Sequence, residues 1–282
     1  MKIYEQYRNL ELLETIPFLF VGRDGVQEKR EESVLKEHLM DIVINGALTM
    51  KLICIPQYLS ELVLGRMLTE GIITSADEVE QIYICKYGSR AVVILNRPQK
   101  AEPAQSDIGF VEVTPTCCTG NRILNDRFFS GSPLKPVTPI LWNYDQVFSL
   151  ADRFSNGMPL HSQTWATHSC FLAKEGEILF SCEDIGRHNA LDKVIGYALR
   201  HRINLTECIV YSSGRIPTDM VTKVIRAGIP VFCSKASPTQ EAVAIANTYR
   251  LTLVCAARRD RMKLFAGVPP ADYQEDETNH GK

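Results

Sequence analysis

The sequence predicts an α/β protein with two unlike halves. Residues 208–255 alternate short apolar runs with amphipathic segments, which is typical of a largely parallel sheet covered by helices in a three-layer arrangement. The N-terminal half instead contains paired β-rich runs around one helical segment, which favours a smaller α+β domain. Residues 97–139 carry six prolines and no periodicity, so we expect either a linker or a loop with functional residues between the halves.

Composition excludes several classes of protein. The 282 residues suffice for one large or two modest domains, and the net charge of −2 provides no field that would attract nucleic acid or an anionic membrane. We find neither a secretory signal nor an apolar run near the roughly 20 residues of a membrane span. Most of the nine cysteines lie singly in apolar runs, which indicates buried thiols in the cytoplasm. Without spaced Cys-x-x-Cys pairs, we expect no structural metal.

The N-terminal domain, residues 1–113, is predicted from four features. Residues 18–21 form a strand, and Asn45-Gly46 between two β-rich runs predicts a hairpin. Residues 58–70 repeat apolar side chains at a helical spacing and end at Gly71. Residues 79–85 and 90–95 alternate as two strands about Gly88. Residues 114–144 are expected to be an interdomain loop.

The C-terminal domain, residues 145–268, begins with a helix and two strands and continues as β-α units. Its predicted helices are residues 145–154, 185–201, 217–227 and 239–249, and its predicted strands are residues 167–173, 178–182, 208–211, 230–233 and 251–255. Pro217 and Pro238 lie near helix starts, where proline is tolerated, and Gly228 is placed as a C-terminal cap. The polar tail, residues 269–282, is predicted to be disordered.

Residues 183–193, EDIGRHNALDK, are the most informative run in the chain. The run follows a predicted strand and opens a predicted helix, where α/β proteins place groups that hold anions. Glu183 and Asp184 are open to two interpretations, capping of the helix or catalysis. Asp192 and Lys193 are expected on the exposed face of the helix.

Four loops are predicted to meet where the strands end. They are residues 186–188, 212–215, 234–237 and 256–261, and together they are rich in glycines, hydroxyls and cations. Ligands of open α/β sheets bind at such ends, and arginine and helix N-termini both hold phosphate. We therefore predict a phosphate or nucleotide pocket, although the same residues also serve as ordinary turn formers.

Cys117 and Cys118 differ from the other cysteines because they lie outside any apolar run. An exposed thiolate is nucleophilic, and a vicinal pair closes only a strained disulfide. From chemistry alone, a reactive cysteine and an inert one are equally supported here.

The chain resembles the FdhD/NarQ family of formate dehydrogenase accessory sulfurtransferases over residues 31–267. The matching segments are Asn45-Gly46 and residues 59–73, 183–193, 212–215, 220–230, 234–239 and 251–254. The resemblance implies a small N-terminal domain and a cytidine-deaminase-like C-terminal domain of three layers. The zinc residues of the deaminases are missing, so a nucleotide deaminase is disfavoured.

The resemblance further implies a function. The family carries sulfur as a cysteine persulfide from a cysteine desulfurase to the molybdenum cofactor, a bis(molybdopterin guanine dinucleotide), before that cofactor enters formate dehydrogenase. By position the carrier corresponds to Cys118, beside Cys117. The cofactor-binding positions then correspond to Ala256, Ala257, Arg258, Arg259, Asp260 and Arg261, with Arg187, His188, Ser213 and Arg215 placed near the same pocket. A homodimer is left open.

One departure from the family keeps an alternative open. Many members have Cys-x-x-Cys in the loop, whereas this chain has Cys117-Cys118-Thr119 with no second cysteine at the usual spacing. The alternative is a chaperone that binds and delivers the guanine dinucleotide cofactor without sulfur transfer.

Overall fold

A computed structural model describes residues 1–96, 122–123 and 132–272. The chain divides into two compact units, neither of them continuous in sequence. The first comprises Met1–Ser132, Gly157–Cys170 and Ser181–Ile203, and the second comprises Pro133–Asn156, Phe171–Phe180 and Asn204–Lys282. The domains predicted from the sequence are continuous, so their boundaries do not coincide with those of the units.

The described residues form fourteen strands and six α-helices. In chain order these are β1 Lys2–Glu5, β2 Leu13–Val21, β3 Gln27–Leu35, β4 His38–Ile44, β5 Ala47–Cys54, α1 Leu59–Thr69, β6 Val79–Ile84, β7 Arg90–Leu95, β8 Arg122–Ile123, α2 Tyr144–Ser155, α3 Pro159–Thr164, β9 His168–Lys174, β10 Glu177–Asp184, α4 Arg187–Arg200, β11 Ile209–Ser212, α5 Thr218–Arg226, β12 Val231–Ser234, α6 Gln240–Thr248, β13 Thr252–Cys255 and β14 Lys263–Ala266. No helix among them is long and apolar enough to cross a membrane.

The first unit is built on a mixed sheet of order β1-β6-β7-β4-β5-β8. The hairpin predicted at Asn45-Gly46 is confirmed: β4 and β5 pair antiparallel, and both turn residues have positive φ, 44° and 84°. These values suit a two-residue turn whose twist matches that of the strands. Burial alternates along β4, with Met40, Ile42 and Ile44 fully buried, so one face of the sheet forms the core.

Helix α1 is buried on every side, unlike an ordinary surface helix. It packs on α4 with the two backbones in contact. A Cβ on Gly65 would overlap the carbonyl oxygen of Asp192, and a Cβ on Gly196 would overlap that of Glu61. Glycine at both crossing points is therefore what permits this close approach.

Strands β2 and β3 form a separate two-stranded ribbon. Nine consecutive pairs, from Leu13↔Leu35 to Val21↔Gln27, hold it in antiparallel register. Eight of the nine residues of β2 are exposed. The prediction placed only residues 18–21 in a strand, and it missed β3 because six of its first seven residues are charged or amide side chains.

The second unit contains most of a sheet of order β10-β9-β11-β12-β13-β14. Strands β11, β12 and β13 run parallel, with α5 and α6 in the intervening connections. The β-α alternation predicted for residues 208–255 is thus confirmed. Strand β14, which pairs antiparallel with β13, was not predicted.

The predicted disordered tail is partly wrong. Among residues 269–272, the Ala271 N–H donates to the carbonyl of Trp142 at 2.7 Å, and the Asp272 carboxylate accepts from the Tyr144 N–H at 3.3 Å. These bonds tie the segment to the start of α2. Residues 273–282 lie outside the described residues.

Candidate functional site

The two loop cysteines predicted to be reactive, Cys117 and Cys118, lie outside the described residues. The nearest described residues after them are Arg122 and Ile123 of β8, which pair with Lys51 and Met50 of β5. Seven other cysteines are described, and none forms a disulfide. Six of these are buried, as predicted for small apolar residues, whereas the same prediction is wrong for Cys85, which is only partly buried.

Cys85 is the described thiol whose environment favours the thiolate. Its Sγ lies 3.7 Å from the Ser89 hydroxyl, beside an open cavity of about 470 Å³ lined also by Leu39, Asp41 and Arg90. Partial burial raises the pKa of this thiol, but hydrogen bonds from Ser89 and the surrounding backbone N–H groups outweigh burial and lower it overall. Burial instead raises the pKa of Cys182 and Cys255 to about 12.

Glu183 caps helix α3, and not helix α4, which begins within the run 183–193. Its carboxylate accepts hydrogen bonds from the N–H groups of Leu160 at 2.9 Å and His161 at 2.7 Å, in the first turn of α3. It also accepts from the Thr167 hydroxyl at 2.8 Å. This supports the capping interpretation, with α3 in place of α4.

Asp184 and Lys193 form an ion pair in which both side chains are completely buried. Lys193 Nζ lies 2.6 Å from Asp184 Oδ2 and also donates to the carbonyl of Ile55 at 3.1 Å. The second carboxylate oxygen accepts from the Gly186 N–H and from the Asn189 amide. Burial lowers the pKa of Lys193, but the attraction and hydrogen bond of Asp184, together with the contributions of Cys54 and Cys182, outweigh burial, so that the net shift is upward and the ammonium form is retained.

Asp192 is paired with α1 across the same helix contact. Arg66 Nε lies 2.7 Å from Asp192 Oδ2, and the Thr69 hydroxyl donates to Oδ1 at 2.7 Å. Arg66 also donates to Asn189 at 2.9 Å and pairs with Glu70 at 3.0 Å. The prediction that Asp192 and Lys193 lie on an exposed face is therefore wrong, because α1 covers Asp192 and supplies its partners, while Lys193 is buried against Asp184 and the carbonyl of Ile55.

Arg187 and His188 are both buried at the start of α4, in the first unit. The pKa of the nearby His168 is lowered chiefly by burial. The positive charges of Arg187, His161 and His188 lower it further. Among the described residues, no group of three or more His, Cys, Asp or Glu side chains is arranged to hold a metal ion.

The remaining predicted site residues meet at the strand ends of the second unit. The Ser234 hydroxyl, after β12, donates to the carbonyl of Gly214 after β11 at 2.7 Å. The Ala257 N–H, after β13, donates to the carbonyl of Ser234 at 3.0 Å. Three of the four predicted loops are thus linked directly, as expected from the parallel order of these strands.

The surface of these loops is cationic. Five basic side chains are exposed, namely Arg215, Lys235, Arg258, Arg259 and Arg261, while Ser213 is half-buried and Ala257 buried. Arg259 donates to Asn156 at 2.6 Å, and Arg261 pairs with Asp260 at 3.3 Å. Within the described residues, the Arg215 and Arg258 side chains have no hydrogen-bond or ion-pair partner, so they are open to an anion.

An aromatic group that the sequence did not reveal lies beside this surface. Lys235 Nζ is 4.9 Å from the ring centre of Phe154, and that ring is 5.9 Å from the ring of Tyr211. The Tyr211 hydroxyl donates to the carbonyl of Ala257 at 2.9 Å and so supports the last loop. Phe154 and Tyr211 belong to ordinary apolar periods of α2 and β11, so no signal in the sequence singled them out.

Comparison with known proteins gives concordant results. The family model described as FdhD/NarQ family matches residues 35–269. A protein named sulfur carrier protein FdhD from Listeria monocytogenes is 29% identical over 246 residues, which cover 86% of this chain and 93% of that protein. A protein of the same name from Wolinella succinogenes is 27% identical over 268 residues, covering 93% and 90%. The crystal structure of a formate dehydrogenase accessory protein from Desulfotalea psychrophila superposes with a TM-score of 0.72 at 26% identity, covering 91% of this chain and 98% of that one.

Proposed function

The chain belongs to the FdhD/NarQ family, and we propose that it is the sulfur carrier that activates a formate dehydrogenase. The observation that carries this proposal is the family match over residues 35–269, together with relatives that are named sulfur carrier proteins. The relatives are matched over nearly their full length, so the proposal concerns the whole activity.

The proposed chemistry is a persulfide relay at Cys118. A cysteine desulfurase presents a persulfide, and the Cys118 thiolate attacks its outer sulfur. The new S–S bond forms on Cys118 as the desulfurase thiolate leaves, so sulfur moves without a net oxidant. Cys117 is the neighbouring thiol available to the same chemistry. The acceptor is the molybdenum cofactor, which is the client of the protein.

The proposed binding surface for that client is the cationic strand end of the second unit. A guanine dinucleotide carries phosphates, and arginine offers planar bidentate donors to phosphate. The candidate residues are Ala256, Ala257, Arg258, Arg259, Asp260, Arg261, Ser213 and Arg215, with Arg187 and His188 as further candidates. The open guanidinium groups of Arg215 and Arg258 support this assignment, as does the cationic surface around them.

Two finer assignments accompany the proposal. The C-terminal domain is proposed to be cytidine-deaminase-like, which is supported by the parallel strands β11–β13 and their connecting helices. Cytoplasmic residence is proposed because seven described cysteines remain thiols, as is usual in a reducing compartment.

The proposal is tested by loading the full chain with a cysteine desulfurase and cysteine, followed by mass spectrometric mapping of the added 32-Da sulfur. We expect the label on the peptide that contains Cys118 and its loss in Cys118→Ala. Cys85→Ala is the matched control, because it removes the described thiol with a lowered pKa, and it should load normally. Equal loading of the Cys118→Ala protein would exclude Cys118 as the carrier.

The chaperone alternative rests on the missing Cys-x-x-Cys spacing. It predicts that Cys118→Ala still supports full formate dehydrogenase activity in cells. Under the carrier proposal that activity is lost, while binding of guanine nucleotide by the purified variant is retained.

A further inference from the structure

The chain carries a run of three acids shortly after Asp272, the last residue that the structure describes. Glu275, Asp276 and Glu277 follow Asp272 by three to five positions and lie beyond residue 269, where the family match ends. The proposed function assigns them no role. Three adjacent carboxylates concentrate negative charge, and on the same chain they meet nearby cations at a high effective concentration.

Three cations at the strand ends of the second unit are the candidates for this contact. Arg215, Lys235 and Arg258 are exposed, and among the described residues no ion pair joins any of them to a carboxylate. The two other arginines of this surface differ, because each is paired with an acid. The three open positive charges match the carboxylates of the run 275–277 in number.

The connection between the two groups is long enough. The Asp272 carboxylate accepts from the Tyr144 N–H at 3.3 Å, which holds the segment at the first residue of α2. The cations lie toward the other end of that helix, where Lys235 Nζ is 4.9 Å from the ring centre of Phe154. Ten helical residues from 144 to 154 rise about 15 Å. Four extended residues from 272 to 276 span up to about 14 Å, and the long side chains of the ion pair supply the remainder.

We propose that the acidic run, residues 275–277, folds back along α2 and binds the cationic strand ends in place of the phosphates of the client. This inference rests on the proposed function, which assigns the same cations to the guanine dinucleotide. Carboxylates and phosphates both accept charge-assisted hydrogen bonds from guanidinium and ammonium groups, so the two anions exclude each other. The acidic run is thus a competitive inhibitor within the chain, which a client with several phosphates displaces.

The expected strength of this inhibition is modest. Ion pairs between exposed side chains are individually weak and are screened by salt. A short connection nevertheless provides an effective concentration on the order of millimolar. The apparent affinity for a competing anion falls in proportion to the fraction of chains whose cations are free. We therefore expect the run to weaken anion binding by about threefold to fivefold at low ionic strength.

The contact itself is tested without nucleotide, by carbodiimide cross-linking of the full chain, which joins a carboxylate to an amine in direct contact with it. We expect an amide between the run 275–277 and Lys235, mapped by mass spectrometry, and its loss in Lys235→Arg. Mixing unlabelled and ¹⁵N-labelled chains separates a link within one chain from a link between two. The proposal is overturned if no link to Lys235 forms within one chain, or if the run links only to another exposed lysine such as Lys135.

The competition is tested by isothermal titration with GDP. The variant Glu275→Gln/Asp276→Asn/Glu277→Gln should bind GDP about threefold to fivefold more tightly than the wild-type chain at low ionic strength. The difference should vanish at about 0.5 M salt, where the ion pairs are screened. Unchanged GDP affinity at low ionic strength would contradict the proposed competition.

A matched control separates local contact from net charge. The variant Glu28→Gln/Glu31→Gln/Glu32→Gln removes the same charge from β3, in the first unit, and should bind GDP as the wild-type chain does. Equal tightening by this control would trace the effect to net charge and overturn the inference. Absence of GDP binding to all three proteins would instead overturn the proposed binding surface alone, because the link to Lys235 is measured without nucleotide.

Discussion

Charged side chains occupy two very different settings in this protein. In the first unit, Asp184, Asp192 and Lys193 are completely buried and each contacts a partner of opposite charge. In the second unit, Arg215 and Arg258 are exposed at the strand ends and have no such partner among the described residues. The buried ion pairs hold α4 against α1 and the end of β10. The exposed arginines are suited to binding an anion.

The most distinctive stretch of sequence belongs to the first unit, whereas the cationic strand ends of the proposed ligand surface belong to the second. The run 183–193 is distinctive because a buried network requires particular groups at particular positions. A solvent-facing anion site requires only cations and backbone N–H groups, which many loops supply. Substitutions in the first region should therefore change stability, whereas substitutions in the second should change ligand binding.

Removing the buried lysine should have the largest effect on stability. Lys193→Met leaves Asp184 charged and unpaired in the core, which costs about 3–5 kcal/mol. We expect a corresponding loss in the free energy of unfolding, measured by urea denaturation. The double variant Lys193→Met/Asp184→Asn should recover a large part of the loss, because the asparagine oxygen still accepts from backbone N–H groups. A single variant within 1 kcal/mol of wild type would contradict the structural role of the pair.

Adding a methyl group at either helix crossing point should have the next largest effect. Gly65→Ala and Gly196→Ala each place a Cβ against a carbonyl oxygen of the facing helix, so α1 and α4 must separate. We expect a loss of about 1–3 kcal/mol in urea denaturation. The sign is diagnostic, because the same substitution in a helix with free space stabilises it by up to about 1 kcal/mol.

Substitutions at the strand ends should affect binding and leave stability unchanged. Arg215→Gln and Arg258→Gln each remove a donor to phosphate, which we expect to weaken the binding of GDP about tenfold, or about 1.4 kcal/mol. Isothermal titration calorimetry measures this, and thermal unfolding should stay at the wild-type temperature. Arg250→Gln is the matched control, because Arg250 is exposed before β13, at the opposite end of that strand. Equal weakening by Arg250→Gln would show only a loss of general electrostatic attraction.

The smallest effect is expected from His168. Its pKa in the folded chain lies below the ordinary 6.5, chiefly because of burial and then because of Arg187, His161 and His188. The unfolded chain therefore binds the proton more readily, and stability falls as pH drops below about 6.5. His168→Gln should flatten the dependence of the unfolding temperature on pH below about 6.5. An unchanged slope would mean that His168 does not contribute to it.

Sequence reasoning succeeded where the determinants were local. A two-residue hairpin turn requires positive φ at both positions, which asparagine and glycine adopt readily, so Asn45-Gly46 predicts its hairpin. The alternation of apolar runs with capped helices likewise predicts β11–β13 and places three loops at one edge of the sheet. Residues 256–261, Ser213 and Arg215 lie in these loops, and their role in binding the cofactor stays a prediction, as does that of Arg187 and His188 in the first unit.

Sequence reasoning failed where the determinant was a distant segment. Polar residues at positions 192 and 193 of a helix predict exposure, and nothing nearby reveals that Arg66, more than a hundred positions earlier, pairs with Asp192, or that Lys193 donates to the distant carbonyl of Ile55. Helix α3 was missed because its six residues are too few to establish a period and its first turn is held by Glu183. The contact of Asp192 with Arg66 and that of Glu183 with α3 could be found only from the folded structure.

The interleaved order of the first unit has a consequence for how the protein is made. Helix α1 emerges from the ribosome with residues 59–69, but α4, which covers its charged face, ends at residue 200. Until then Arg66 lacks Asp192, and the apolar sides of α1 face water. A nascent chain, or a fragment cut at residue 132, therefore has the sheet of the first unit without α4. We expect such a chain to depend on chaperones to remain soluble. The residues of the first unit are complete only once Ile203 has been synthesised, at about seventy percent of the chain.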